Sequence, residues 1–202
     1  MTTLFLVRHG QTEWGDGRYA GDTDLALSPL GVAQAARLGT WARTADLDAI
    51  VTSPLARAVA TADPAAQATG IAPTVDPRLR EVSFGLAEGL TAAEMAERFP
   101  EERAAFLRSP ATTALPGGES GRAALERALP ALGELRDAHP DGRVLVVTHN
   151  TVIRLVLCAL LGLDPDRYRE VFPAVGNAAL TTVRPATEAR RPAALLGYNV
   201  PL

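Results

Sequence analysis

The sequence predicts an α/β fold, because short apolar strands alternate along it with helix-like segments. Two strand ends support this most directly. An apolar run over residues 4–7 stops at Arg8 and His9, and a second run over residues 144–147 leads to His149. In open α/β sheets, ligands bind beyond the carboxyl ends of the strands. Both histidines are therefore expected at one edge of the sheet.

The first helix is predicted to begin at Ser28 and Pro29, since serine caps helices and proline suits their first turn. Its candidate buried residues are Ala33, Ala36 and Trp41.

The remaining elements follow from apolar runs, caps and breakers. Strands are expected at 3–7, 49–52, near 74–75, at 143–148 and near 178–183. Helices are expected from the Ser53-Pro54 start to Gly70, from a capping box at Thr91, over 120–139 with a kink at Pro130, and over 152–161.

The chain is expected to form a single domain over residues 1–202. Several prolines and a Gly-Gly pair break the stretch from about 81 to 118 into short pieces. We expect this stretch to be an insertion that lies over the carboxyl edge of the sheet as a lid and specificity segment.

Composition excludes several classes of function. The formal charge of −3 argues against nucleic-acid binding, and no lysine is present for a phosphate-binding loop or a Schiff base. The single cysteine, Cys158, lies in an apolar run and excludes an internal disulfide. No run reaches the roughly 18 apolar residues of a membrane span, so a cytoplasmic protein is expected.

Arg8 and His9 suit phosphoryl transfer. A neutral imidazole can attack phosphorus and form a covalent intermediate, while an adjacent guanidinium binds the phosphoryl oxygens. The positive neighbour also lowers the pKa of the histidine and keeps it nucleophilic. Three residues alone are a weak motif, and a capped strand end is the alternative.

Three further residues fit the same chemistry. Arg57 lies in the first turn of a helix after a strand, where anions bind; a solvated surface arginine is the alternative. Glu81 is a candidate general acid, with a salt bridge to Arg78 or Arg80 as the alternative. His149 can donate to a phosphoryl oxygen.

Other patterns carry no comparable chemistry. The glycine-rich stretch 15–21 has one residue too many for a dinucleotide loop and follows a polar loop rather than a strand. His139 lies in a polar turn and is expected to be solvated. The histidines lack metal-ligand spacing, so no metal site and no cofactor are expected.

Several short motifs occur in a fixed order along the chain. They are Val7-Arg8-His9-Gly10-Gln11-Thr12-Glu13-Trp14, Leu27-Ser28-Pro29-Leu30-Gly31, Gln34-Ala35, Ser53-Pro54-Leu55-Ala56-Arg57-Ala58, Leu79-Arg80-Glu81, Phe84-Gly85, Glu88-Gly89, Pro116-Gly117-Gly118-Glu119-Ser120 and Val147-Thr148-His149. This ordered set resembles the histidine phosphatase superfamily, the phosphoglycerate mutase-like group, and covers residues 3 to about 180.

The resemblance implies a three-layer α/β/α sandwich around a mostly parallel central sheet, with no metal required. It implies that His9 is the phosphorylated nucleophile and Glu81 the proton donor. It also implies that Arg8, Arg57 and His149 bind the phosphoryl group.

Three positions depart from the family pattern. Gly15 stands where the family often has a phosphate-contacting asparagine, so the contact is lost or replaced by a backbone N–H. Asn150 and Thr151 replace a glycine pair, and Ala87 replaces a tryptophan, which is expected to widen the rim of the pocket.

The leading hypothesis is a phosphomonoesterase of the small bacterial phosphatase branch, acting on a small phosphorylated metabolite through phosphohistidine. A cofactor-dependent phosphoglycerate mutase is the first alternative; the mutases carry a longer insertion than the 68 positions between Glu81 and His149 (149 − 81). A non-catalytic phosphate-binding module is the second. The sequence leaves the substrate and a possible homodimer open.

Overall fold

The computed structural model describes residues 1–15, 17–186 and 193–202. In this part of the chain six strands form one sheet. They are β1 (Thr3–Arg8), β2 (Ala49–Thr52), β3 (Thr74–Val75), β4 (Arg143–Thr148), β5 (Leu180–Arg184) and β6 (Ala194–Val200). The spatial order of the strands is β3-β2-β4-β1-β5-β6.

The sheet is mostly parallel, as predicted. The pairs β2–β3, β2–β4 and β1–β4 are parallel, whereas β5 pairs antiparallel with β1 and with β6. Arg8 at the end of β1 lies opposite Thr148 at the end of β4. The residues that follow these two strands, His9 and His149, therefore emerge side by side at the carboxyl edge.

Seven α-helices and three short 3-10 turns surround the sheet in the described residues. The helices are α1 (Pro29–Ala42), α2 (Ala56–Thr69), α3 (Ala92–Arg98), α4 (Pro100–Arg108), α5 (Gly121–Ala138), α6 (Asn150–Leu160) and α7 (Tyr168–Val171). The 3-10 turns are Pro77–Leu79, Gly85–Ala87 and Pro165–Arg167.

The central strand β1 is buried on both faces, because helices cover each side of the sheet, and the fold therefore has three layers. Because side chains alternate along a strand, Leu4 and Leu6 pack in a core with residues of α5 and α6. Phe5 and Val7 face a second core, which holds residues of α1 and α2. The α/β/α sandwich is therefore confirmed.

The predicted buried face of α1 is wrong. Ala33 and Ala36 are exposed, and Trp41 is half-buried with its ring edge-on to Phe5 at 5.0 Å between centroids. The helix instead packs on α2 through small residues, which allow close approach; a Cβ on Gly39 would lie only 2.9 Å from Pro64.

Further elements differ from the prediction, and α6 begins at Asn150 rather than at residue 152. Helix α2 begins at Ala56 rather than at the Ser53-Pro54 start, and Leu55 is its N-cap residue. Pro100 begins α4 instead of breaking the segment, as proline at a first helical turn can. Strand β6 was not predicted; its residues are exposed or half-buried and carry no clear apolar alternation.

Candidate active site

A cavity of about 260 Å³ opens at the carboxyl edge of the parallel strands. It suits a ligand the size of a small metabolite. Four residues singled out from the sequence line it: Arg8, His9, Arg57 and Glu81. The fifth, His149, packs its ring against His9 with 5.1 Å between centroids. The structure thus brings all five together.

His9 is buried and held in one orientation. Its backbone N–H donates to the carbonyl of Thr148 at 3.0 Å, which continues the β1–β4 pairing. Its Nδ1 lies 2.7 Å from the carbonyl oxygen of Gly10. Since a carbonyl only accepts, Nδ1 carries the proton and Nε2 of the neutral ring keeps its lone pair.

Electrostatics favour that neutral form. Burial lowers the pKa of His9 well below its usual value, and the nearby charges of Arg8 and Arg57 lower this pKa further. Both terms penalise the imidazolium. The ring of His9 is therefore neutral at neutral pH.

Arg57 is fully buried, so the solvated alternative is wrong. Its Nη1 donates to the Thr23 carbonyl at 2.7 Å and its Nη2 to the Gly21 carbonyl at 2.6 Å. Burial lowers the pKa of Arg57, while nearby carboxylates, Glu81 first, oppose that shift. Arg57 thus places a cation at the cavity and fixes the loop over residues 21–23.

Arg8 is the last residue of β1, which lies on the other side of β4 from β2, the strand before Arg57. Its side chain reaches the cavity from there. Its Nη1 donates to the carbonyl of Val175 at 2.7 Å, and its side chain lines the cavity. The loop before β5 therefore orients this guanidinium. Two arginines from separate elements flank His9.

His149 caps α6 and is fully buried. Its Nε2 lies 2.7 Å from Oγ of Ser53, and among the described residues its Nδ1 has no hydrogen-bond partner. Burial lowers the pKa of His149 well below its usual value, and the proximity of His9 and the charge of Arg57 lower this pKa further. The ring is neutral, and Nδ1 is a buried nitrogen that no described group bonds.

The carboxylate of Glu81 is bound by backbone groups, so its predicted alternative, a salt bridge to a neighbouring arginine, is wrong. Its Oε1 accepts from the N–H groups of Val82 at 3.0 Å and Val152 at 3.2 Å. Its Oε2 accepts from the N–H of Thr151 at 3.0 Å. The last two donors belong to the first turn of α6. Arg78 instead bonds Asp76 and Glu134.

Sequence reasoning missed four residues that hold this machinery in place. Thr61 accepts a hydrogen bond from the Gly10 N–H at 2.9 Å through its hydroxyl. Arg127 donates to the Glu81 carbonyl at 3.0 Å and pairs with Glu119 at 2.7 Å. The remaining two are Ser53 and Glu88.

Glu88 joins two loops at the cavity. Its Oε1 accepts from the backbone N–H of Asp22 at 2.9 Å and from that of Phe84 at 2.9 Å, and its Oε2 accepts from the Thr23 hydroxyl. The loop bound by Arg57 is therefore fastened to the segment that carries Glu81. The Glu88-Gly89 motif was the only sequence signal for this contact.

The three departures from the family pattern have separate outcomes. Gly15 lines the cavity at φ +60°, and its N–H donates to the Thr12 carbonyl at 2.9 Å, so this N–H does not replace the missing amide. Asn150 also lines the cavity. Ala87 is fully buried and lies outside the lining, so the expectation of a wider rim is wrong.

Other predicted features lie away from the cavity. Cys158 is free and buried, and His139 is half-buried at the end of α5. No group of three or more metal-ligating side chains occurs within the described ranges. None of the helices described is long and apolar enough to cross a bilayer. Asp16, within the glycine-rich stretch 15–21, lies outside the described residues.

The fold and the cavity define an α/β protein whose arginines and histidines gather at the carboxyl edge of its sheet. The sequence model of the histidine phosphatase superfamily (branch 1) matches residues 4–196. The chain belongs to this family.

Named relatives span most of the chain. Phosphoserine phosphatase 1 of Hydrogenobacter thermophilus is 35% identical over 83% of this chain and 80% of its own length. A Salmonella choleraesuis protein named "Probable phosphoglycerate mutase GpmB" is 32% identical over 81% of this chain and 76% of its own. The structure of mycobacterial glucosyl-3-phosphoglycerate phosphatase Rv2419c superposes with a TM-score of 0.88 at 31% identity, covering 98% of each chain.

The family and its phosphatase members establish the reaction class. The protein is a phosphatase that hydrolyses a small phosphomonoester through a phosphohistidine intermediate. This reading is favoured over both the mutase and the non-catalytic alternatives.

Proposed function

We propose that His9 is the residue that becomes phosphorylated. Its Nε2 attacks phosphorus, an N–P bond forms and the ester P–O bond breaks. Glu81 gives its proton to the departing alkoxide, so that a neutral alcohol leaves. Arg8, Arg57 and the Nδ1–H of His149 bind the phosphoryl oxygens, where charge increases in the transition state.

The second step returns the enzyme to its starting form. Glu81, now ionised, removes a proton from water as the water oxygen attacks phosphorus. The N–P bond breaks, inorganic phosphate leaves, and His9 is again neutral. Within the described ranges, Oε2 of Glu81 accepts one backbone N–H, so a lone pair remains for this proton.

The observation that carries the assignment is the hydrogen bond between His9 Nδ1 and the Gly10 carbonyl. It fixes the tautomer, and burial beside two arginines removes the charge. His149 cannot serve as the nucleophile in the same way, because its Nε2 contacts Ser53 rather than a carbonyl.

We further propose that residues 81–118 form the specificity segment, since Glu81, Phe84 and Ala92 line the cavity. A cytoplasmic location and a homodimer stay predictions of the sequence. Size-exclusion chromatography with light scattering tests the dimer directly.

Hydrolysis of p-nitrophenyl phosphate in the presence of a chelator tests the mechanism. Acid-labile phosphate should accumulate on His9 when the reaction is quenched early, and mass spectrometry should locate it. The His9→Ala protein should lose activity and phosphorylation, whereas the matched His139→Ala protein should keep both. Full activity in His9→Ala would contradict the proposal.

A further inference from the structure

One arginine on the wall of the active-site cavity has no part in the phosphate chemistry above. Arg169 lies in α7, beyond α6 in the chain, and its exposed side chain lines the same cavity as Arg8 and His9. Neither the strand ends nor the helix start that build the phosphate site contribute it. It adds a further cation to the wall of the cavity.

Aromatic rings hold this guanidinium in place without neutralising it. Its Cζ lies 5.8 Å from the ring centre of Phe106 and 6.0 Å from that of Tyr168, and both rings are buried. Its Nη1 also lies 3.5 Å from the Tyr168 hydroxyl. In the described part of the chain no carboxylate pairs with Arg169, and the adjacent Glu170 pairs with Arg167 at 3.1 Å.

Two other arginines at the cavity have carboxylates close to their positive charge. Arg18 pairs with Glu94 at 3.2 Å and donates to the Gly89 carbonyl at 2.6 Å. Arg57 has several carboxylates nearby that favour its charge. Arg169 is thus a cation that the described acidic residues leave available to a ligand.

A polar acceptor lies in the same cavity. Oδ1 of Asn150 is buried and has no hydrogen-bond partner among the described residues. Buried acceptors are rarely left unsatisfied without a reason. A hydroxyl or ammonium group on a bound substrate would satisfy it.

We propose that Arg169 binds a carboxylate of the substrate and that Asn150 accepts from the neighbouring hydroxyl or amino group. The substrate class is then the phosphate monoester of a small hydroxy acid or amino acid. A single guanidinium matches one carboxylate in the bidentate geometry that arginine favours. This inference rests on the proposed function of the same cavity.

Two phosphonates that differ only by a carboxylate test the inference without turnover. They are 2-amino-4-phosphonobutyrate and 3-aminopropylphosphonate, titrated calorimetrically into the intact protein. The carboxylated compound should bind about tenfold more tightly, the scale of a hydrogen bond to a charged group. In Arg169→Gln this preference should disappear while the affinity for 3-aminopropylphosphonate stays within about twofold.

Arg167→Gln is the matched control, since Arg167 lies two positions away and does not line the cavity. It should leave both affinities unchanged. Arg169→Lys keeps the charge without the planar fork and should retain part of the preference, which provides a second variant if the glutamine protein folds poorly. Equal binding of the two phosphonates to the unmodified protein would overturn the inference, as would equal loss of both in Arg169→Gln.

Steady-state kinetics distinguish the role of Arg169 in substrate binding from the catalytic mechanism. For phosphoserine, Arg169→Gln should raise KM with little change in kcat, because a contact far from phosphorus is the same in ground and transition states. For phosphoethanolamine neither constant should change. Selective phosphonate binding without any phosphorylation of His9 would support the carboxylate site and contradict the proposed function.

Discussion

Oγ of Ser53 lies 2.7 Å from Nε2 of His149, although 96 residues separate the two in sequence. The hydroxyl also accepts from the Leu55 N–H at 3.3 Å. The serine proton is therefore free to be donated to Nε2. A neutral His149 then carries its own proton on Nδ1, the nitrogen assigned to the phosphoryl group.

We predict that Ser53→Ala lowers kcat/KM about tenfold, the effect of losing one oriented donor to a charged group. His149 would then populate both tautomers, and only one can donate from Nδ1. Nitrogen NMR of the resting protein measures the tautomer directly.

Ser53→Cys serves as the control, because the thiol has a similar size and is a weak donor. It should lose less activity than Ser53→Ala. A resting protein with the His149 proton on Nε2 would contradict the assigned role of Ser53.

Gly15 allows a gain of function to be predicted. Its φ of +60° is tolerated by asparagine, and a Cβ built there meets nothing within 4 Å. In Gly15→Asn the amide should reach the phosphate and lower the inhibition constant of inorganic phosphate about tenfold. Gly15→Ala, which adds the backbone strain without the amide, should not tighten binding.

Glu81→Gln should slow phosphorylation of the enzyme to a degree that depends on the leaving group of the substrate. Alkyl phosphates need a proton on the departing oxygen, so their phosphorylation step should slow by about 10²- to 10⁴-fold. Phosphorylation by p-nitrophenyl phosphate needs no such proton and should be affected much less. Stopped-flow measurement should then show a burst of one equivalent of nitrophenolate, since water attack also needs Glu81.

Equal slowing of phosphorylation by both kinds of ester would argue that Glu81 acts through the position of α6 rather than as an acid. Circular dichroism and urea unfolding of the variant check that this helix start survives the loss of the carboxylate.

Stability should depend on pH through the two buried histidines. The pKa values of both His9 and His149 lie well below 6.5 in the folded protein. Below pH 6.5 the unfolded chain therefore binds protons that the folded protein does not. The free energy of unfolding should fall as the pH drops from 7 to 5, by at most about 1.4 kcal/mol per pH unit for each histidine.

Urea unfolding at a series of pH values measures this slope. The His9→Gln protein should lose less stability on acidification than the unmodified protein, because one of the two buried groups is gone. The same slope in both proteins would contradict the predicted contribution of His9.

Arg127 stabilises the segment that carries the acid. It donates to the carbonyls of Arg78, Arg80 and Glu81 and pairs with Glu119, and both members of the pair are largely buried. Arg127→Leu should cost about 3 kcal/mol of unfolding free energy, because the partner charge is left uncompensated. The double variant with Glu119→Leu should recover part of this loss.

The site residues that follow strands could be predicted from the sequence, because the end of a strand determines where the next residue lies. His9 and His149 follow adjacent parallel strands, so sheet geometry alone brings them together. Ser53 was interpreted as a helix cap from its local context, and no local pattern indicates a partner 96 residues away. The role of Glu88 was not predicted for the same reason, because it contacts a loop distant in sequence.

The helix faces and the sheet edge were harder to predict. In the alanine-rich α1, burial is decided by how closely α2 approaches, and composition does not encode that distance. Pro100 can break a helix or begin one, and only the fold decides between these outcomes. Strand β6 is exposed or half-buried, so hydrophobic periodicity gives no signal for it.

The loop contacts of Glu88 limit how substrate preference can be altered by exchange of segments between relatives. Its carboxylate ties the backbone at Asp22 to that at Phe84. In a chimera joined just before Glu88, the backbone donors at Asp22 and Phe84 would come from one protein and the accepting carboxylate from the other. The loop that Arg57 binds would then be held less firmly. A chimera joined after it, within residues 90–116, would replace α3 and α4 together and leave the phosphate site of the recipient intact.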